Sequence, residues 1–236
     1  MKIAIIPARG GSKRIKDKNI MPFCGQPMIL HALGAAKASG LFDEIHVSTD
    51  SEAIRSVVEN AGFKVAFMRD PALADDHTAI APVLQWVLKR YQKLGRDFED
   101  VCLLMPCAPL IVAEDLRKGF ELYLAHRRRK ALLAISEYPV PIEWAFKRAD
   151  DGALQPVQPG MFAVRSQDLG KKYYDSGIFI FFNAASLLSD TPPADDNYIG
   201  YQLPRQKSID IDTPEDLELA RLLYLGRAAA ERTPND

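Results

Sequence analysis

The chain has 236 residues, 47% apolar and 26% charged, and a formal net charge of −1 from 30 basic against 31 acidic side chains. That length suits one sizeable α/β domain, 1–236, or a domain with a small insert. Near-neutral charge excludes a general nucleic-acid or membrane-surface binder, which needs a basic excess, so any positive charge that matters must be local.

The elements alternate in chain order. Strands are expected at Lys2–Pro7, Glu44–Ser48, 64–68, 101–105 and 131–136, with helices at about 27–39, 51–61, 78–94 and 113–127 between them. This is the βαβ pattern of a three-layer α/β fold with a mainly parallel, mixed sheet. Ile54, Val57, Val58 and Ala61 form one stripe, as in a helix packed on a sheet. From 138 to 175 the pattern breaks. Four prolines, an Asp150-Asp151-Gly152 turn and short β-like runs such as Trp144-Ala145-Phe146 predict an inserted hairpin region. Strand signal returns at 178–182 and 208–211, and a last helix runs from Pro214 to about Ala228. Thr213 is placed to cap it, with Pro214 at the first helical position and Asp216 three residues after the cap. Residues 231–236 read as a frayed tail.

The apolar run in residues 1–7 is too short for a secretory leader, and no apolar stretch of about 18 residues could span a membrane. Cys24, Cys102 and Cys107 lack metal-ligand spacing, and the last two read as small buried thiols. A cytoplasmic protein with neither nucleic-acid nor membrane partners is expected.

The most informative stretch is Pro7-Ala8-Arg9-Gly10-Gly11-Ser12-Lys13-Arg14-Ile15-Lys16-Asp17-Lys18-Asn19. It follows the first strand and so lies at the carboxyl edge of the sheet, where open α/β folds bind ligands. Paired glycines let the backbone approach an anion and present N–H groups. Five basic residues within ten positions, in an otherwise neutral chain, make a pocket for a polyanion such as a triphosphate. The dinucleotide fingerprint and the ATPase phosphate loop both lack their spacing here.

The run Ala8-Arg9-Gly10-Gly11-Ser12-Lys13 with Lys18-Asn19 resembles the nucleotide-binding signature of the acylneuraminate (CMP-sialic acid) cytidylyltransferases. The likeness continues through Val47-Ser48-Thr49-Asp50, Arg69-Asp70-Pro71-Ala72-Leu73-Ala74-Asp75-Asp76, Arg165-Ser166-Gln167-Asp168-Leu169 and Asp210-Ile211-Asp212-Thr213-Pro214-Glu215-Asp216. It implies a fold like that of nucleotide-diphospho-sugar transferases and a reaction joining the anomeric hydroxyl of an acidic nine-carbon sugar to the α-phosphate of CTP, with release of pyrophosphate. It also implies that Asp210 and Asp212 hold Mg²⁺. Carboxylates two apart on a strand share a face, and Mg²⁺ takes hard oxygen ligands alongside waters and phosphate oxygens. Arg9 and Lys13 would hold the phosphates, and Lys18 would stabilise the departing pyrophosphate. Asp212 or a metal-bound water would assist deprotonation of the attacking hydroxyl. Ala8, Gly10, Gly11, Ser12, Asn19, Arg69 and Thr78 would line the nucleotide.

On the sugar side, Arg165, Gln167 and Asp168 match the family's R-x-Q-D element, whose guanidinium suits a C1 carboxylate. Sialic acid enzymes usually carry Q-P-T-S-P where this chain has Met105-Pro106-Cys107-Ala108-Pro109, so Met105 stands at the sugar-binding Gln and Cys107 at the Thr. Methionine cannot hydrogen-bond as glutamine does, which weakens an N-acetylneuraminate or legionaminate reading. Ala74-Asp75-Asp76-His77-Thr78, Tyr138-Pro139-Val140-Pro141-Ile142 and Tyr174-Asp175-Ser176-Gly177 resemble the pseudaminic acid branch, associated with flagellin or surface-glycan modification. That branch usually follows its glycine with Q-F-Y-W rather than Ile178-Phe179-Ile180-Phe181, so an epimer of pseudaminic acid stays open. The family also dimerises through the insert, which implies a homodimer in which 138–175 helps close the sugar site. The rivals are CMP-N-acetylneuraminate or CMP-legionaminate synthetase, the 3-deoxy-manno-octulosonate enzyme and a nucleotide-sugar-dependent glycosyltransferase. The octulosonate enzyme's first loop reads A-R-Y-x-S-x-R-L-P, and a glycosyltransferase carries its D-x-D mid-chain.

Overall fold

The computed structural model describes residues 1–12, 14–75, 78–189 and 198–230. Its strands are β1 (Lys2–Pro7), β2 (Pro22–Phe23), β3 (Gln26–Pro27), β4 (Glu44–Ser48), β5 (Asp100–Leu104), β6 (Ala131–Glu137), β7 (Phe146–Arg148), β8 (Leu154–Pro156), β9 (Tyr173–Asn183) and β10 (Tyr198–Gln202). The helices are α1 (Met28–Ser39), α2 (Glu52–Asn60), α3 (Ile80–Lys93), α4 (Ala113–Ala125), α5 (Ala184–Leu188) and α6 (Pro214–Ala230). Six strands form one sheet in the order β10-β6-β9-β5-β1-β4, parallel at β4–β1–β5 and β6–β10, with β9 antiparallel to both its neighbours.

The pleat of β1 divides the core. Ala4 and Ile6 face α1, α2 and α4, packing with Ile29, Leu33, Val58, Leu116 and Phe120. Ile3 and Ile5 face the opposite layer, with Leu84, Val87 and Tyr91 of α3 and Leu187 of α5. Alternate residues point to opposite faces, so a strand buried on both sides reads as the continuous apolar run of Ile3-Ala4-Ile5-Ile6. The result is helix, sheet, helix: the expected three-layer mixed α/β fold. No helix among the described residues is long and apolar enough to cross a membrane.

Topology decides what meets at the sheet's edge. The carboxyl ends of parallel β1, β4, β5 and β6 share one edge. Since β9 runs the other way, its first residues arrive there too: Met105 N–H donates to Ile178 O (2.9 Å). The segment between β6 and β9 springs from the same edge. It carries the hairpin β7–β8, paired Phe146↔Pro156 and closed by a turn at Gly152 (φ 89°). Trp144-Ala145-Phe146 is not one β run, because Ile142–Trp144 is a 3₁₀ turn and the Trp144 indole N–H donates to Val164 O (3.1 Å).

Two expected strands are absent. Residues 64–68 place Val65 in one core layer and Phe67 in the other, which explains their alternation. No ladder forms on β4 there; the segment instead delivers Arg69 N–H to Thr49 O (2.7 Å). Residues 208–211 are likewise irregular, and the apolar signal of Ile209 and Ile211 comes from packing against Phe23, Met28 and Leu110. Conversely, β10 is not among the expected strands, its exposed-intermediate alternation being polar on the open edge. The last helix starts where expected. Thr213 Oγ1 accepts from Asp216 N–H (3.2 Å) while the Asp216 carboxylate accepts from Thr213 N–H (2.7 Å), a reciprocal cap. It runs to Ala230; the tail expected at 231–236 lies outside the described residues.

Candidate active site

The loop after β1 is anchored before it carries any charge. Ala8, fully buried, prolongs the β1–β4 pairing through its N–H to Ser48 O (2.9 Å). Gly10 N–H donates to the Asp50 carboxylate (3.0 Å), and a β-carbon at Gly10 would come within 3.0 Å of Ser51 Cβ. Only glycine lets the loop lie this close to the start of α2. At Gly11 a β-carbon would meet only Arg9 Nη1, at an ordinary 3.8 Å, so no such requirement applies there. Asn19 closes the loop: its side-chain N–H donates to Arg9 O (3.0 Å), and its own carbonyl accepts from Ile29 N–H (2.9 Å).

Across the cleft lies the irregular acidic segment. Lys18 Nζ reaches Ile211 O and the Asp212 carboxylate (3.1 Å from Oδ1), while Arg14 Nη1 lies 2.7 Å from Asp212 Oδ2. Residues almost 200 positions apart are thereby joined. They line one cavity of about 340 Å³ with Arg9, Ser12, Asn19, Met105 and Asp210. Desolvation, and then the Asp212 charge, raise the Asp210 carboxyl above the usual carboxylate range. Gly177, at the β9 irregularity, has φ 66°, and a β-carbon added there would lie only 3.2 Å from Asp210 Oδ2.

This donor chemistry fits Mg²⁺. Among the described residues no group of three or more His, Cys, Asp or Glu could enclose a metal. Two carboxylates with room for waters and phosphate oxygens are, however, the usual protein share of a Mg²⁺ site. Burial, and then the Asp212 charge, raise the Asp210 carboxyl, and a divalent cation beside it would stabilise its ionised form.

Not every expected site residue reaches this cleft. Arg69 is buried (5% exposed) beneath the end of β4, where Nε donates to Ser48 Oγ (3.0 Å) and Nη2 to Ser48 O (2.6 Å). Burial lowers its pKa, and its role in this structure is to brace the Ser48-Thr49-Asp50 turn that holds Gly10. Thr78 turns back on Asp75, donating from N–H (2.6 Å) and Oγ1 (2.8 Å). Arg165 and Asp168 pair with each other on the surface (3.0 Å), and Gln167 lines a separate hollow of about 530 Å³ with Tyr138, Pro141 and Lys172. Lys13, Asp76 and His77 lie outside the described residues.

Sequence reasoning gave no individual role to Arg14, Asp50, Cys107 or Gly177. Arg14 was visible only as part of the basic run. Asp50 was visible as part of a turn that also supplies the α2 cap, Ser51 Oγ accepting from Ile54 N–H (3.4 Å). Cys107 stood out only as a small buried thiol in the place of a Thr, and Gly177 only as the last residue of the Tyr174-Asp175-Ser176-Gly177 likeness.

The profile of the cytidylyltransferase family matches residues 3–232. The chain belongs to that family. This cytidylyltransferase, a nucleotidyltransferase by class, is 36% identical over 222 residues to a pseudaminic acid cytidylyltransferase of Campylobacter jejuni, covering 94% of this chain and 95% of that one. It is 31% identical over 236 residues to a CMP-N,N'-diacetyllegionaminic acid synthase of Legionella pneumophila, covering 96% and 98% respectively. A solved CMP-2-keto-3-deoxy-manno-octonic acid synthetase complexed with CTP shares the fold, with a TM-score of 0.70 at 18% identity over 96% of this chain and 99% of that one.

Proposed function

We propose that the enzyme transfers CMP from CTP to the anomeric hydroxyl of a nonulosonic acid, pseudaminic acid or an epimer, and releases pyrophosphate. One observation carries the reading: the cationic glycine loop and the distant acidic pair share a cleft, bridged by Arg14 and Lys18 on Asp212. The pseudaminic relative at 36% identity supports the sugar class. Met105 at the cleft wall agrees with it, since it cannot hydrogen-bond as the glutamine usual in sialic acid enzymes does.

In this reading Arg9, Ser12 and Lys13 orient the triphosphate, so that the sugar oxygen attacks the α-phosphorus in line while the bond to the β-phosphate oxygen breaks. Lys18 is held between Ile211 O and Asp212, in place to neutralise charge on the departing pyrophosphate. Asp210 and Asp212 would hold Mg²⁺, which supplies Lewis-acid polarisation of the phosphate when bound. In this reading Asp212 takes the hydroxyl proton. Thr78 is assigned to the nucleotide edge, Arg69 to the buried brace under Ser48 that supports the phosphate loop, and Arg165, Gln167 and Asp168 to the sugar side. Exposed Val140, Leu154, Val157 and Phe162 on the insert support its use against a second copy, which completes the sugar pocket; sedimentation at monomer mass would count against that part. The cell compartment that holds CTP, the cytoplasm, is the expected location.

The test is pyrophosphate release from CTP with a panel of acceptors: pseudaminic acid, its 8-epimer, legionaminic acid and N-acetylneuraminate, compared by kcat/KM. The highest value is expected for pseudaminic acid or its epimer. Equal values on N-acetylneuraminate would overturn the sugar assignment, and no release with any acceptor would overturn the reaction.

A further inference from the structure

Cys107 sits in the turn after β5, 6% exposed, at the wall of the cleft. Its Sγ lies 3.3 Å from Asn19 Oδ1, a contact between residues 88 positions apart. The other end of the same amide is already committed, since Nδ2 donates to Arg9 O (3.0 Å). A backbone carbonyl only accepts, so the amide nitrogen must face Arg9 and the amide oxygen must face the thiol. That oxygen is buried and needs a donor, and the S–H is the donor within reach. We propose that Cys107 is a positioning residue for the nucleotide site, acting through Asn19 to fix the Arg9 end of the phosphate loop. The inference rests on the cytidylyltransferase reading of the cleft.

Three further facts agree. Burial pushes the Cys107 thiol up to about 12, so it stays protonated and can donate at any physiological pH. A thiol of that kind is a poor nucleophile, which leaves hydrogen bonding and packing as its available uses. Asn19 is itself buried, lines the cleft and has a second Nδ2 proton not spent on Arg9. Fixing the amide's flip therefore fixes where that proton is offered. Removal of the thiol proton leaves Asn19 Oδ1 unpaired and lets the amide turn, and the Arg9 carbonyl loses its anchor with it.

The test is CTP binding with Mg²⁺ and no sugar, by titration calorimetry, in a double-mutant cycle of Cys107 and Asn19. Cys107→Val removes the donor and stays apolar, with about one methyl group of extra volume; it should weaken CTP binding about three- to tenfold, the size of one lost hydrogen bond. Cys107→Ser restores a donor and should stay within about twofold of the wild type. In an Asn19→Ala background, Cys107→Val should cost nothing more. Equal losses in both backgrounds, a Ser variant as weak as the Val variant, or no loss at all would overturn the proposal; Cys107→Ala serves as the donor-free variant should Val not fold. A wild-type chain that binds no CTP would overturn the parent reading as well, whereas CTP binding indifferent to Cys107 removes this proposal alone.

Discussion

Gly177→Ala separates backbone strain from metal chemistry in one variant. Gly177 sits at φ 66°, in the left-handed region, and an added methyl would lie 3.2 Å from Asp210 Oδ2 and 3.4 Å from its Cγ. The conformation alone costs a β-carbon about 1–2 kcal/mol. For a chain of this length each kcal/mol lowers Tm by about 2–4 °C, so a drop of roughly 2–8 °C is expected without metal. The carboxylate must also retreat by a few tenths of an ångström. Mg²⁺ tolerates little departure from octahedral geometry, and disturbing a neighbour that orients a metal ligand costs roughly tenfold or more in affinity. Thermal melts in EDTA and a Mg²⁺ titration of pyrophosphate release read the two effects separately. The half-saturating Mg²⁺ concentration should rise on the order of tenfold. An unchanged Mg²⁺ midpoint beside a lowered Tm would refute Asp210 as a metal ligand; an unchanged Tm would refute the strain argument.

Asp210→Asn should stabilise the metal-free protein at neutral pH. The folded pKa of Asp210 is raised by desolvation and by Asp212, so ionisation above that pKa costs the native state, and an uncharged amide removes the cost. The difference in Tm should close as pH falls through the folded pKa towards the unfolded value of about 3.9, where both forms are neutral. A variant less stable at pH 7 in EDTA would contradict the shift. Arg69→Lys should cost about 1–3 kcal/mol of stability, because an ammonium cannot replace both the Nε and Nη2 bonds to Ser48. Urea melts with an unchanged midpoint would show that the buried brace is dispensable.

Much of the fold was legible because its signals are local. The run of β1, the stripe of α2 and the Thr213/Asp216 cap each need only a few neighbouring residues to read. Half of the site was legible for the same reason, since charge and glycine cluster within the loop 8–19. What failed depends on distance. Ile209 and Ile211 give a strand's alternation, yet they pack into a satellite core beside α6 with no partner strand, so the acidic pair is presented by irregular backbone. Arg69 carries a phosphate-binding residue's charge but spends it on Ser48, a choice made by burial rather than by residue type. The Cys107–Asn19 contact and the close approach of Asp210 to Gly177 join segments that only the sheet topology brings together.

The claim on which the rest depends is that one Mg²⁺–triphosphate unit is held between the loop of Arg9 and Lys18 and the carboxylates of Asp210 and Asp212. Pyrophosphate release from CTP and pseudaminic acid, measured against Mg²⁺ concentration for the wild type and the double variant Asp210→Asn/Asp212→Asn, tests it most directly. Turnover in the double variant should fall by several orders of magnitude while CTP still binds; turnover near that of the wild type would contradict the account.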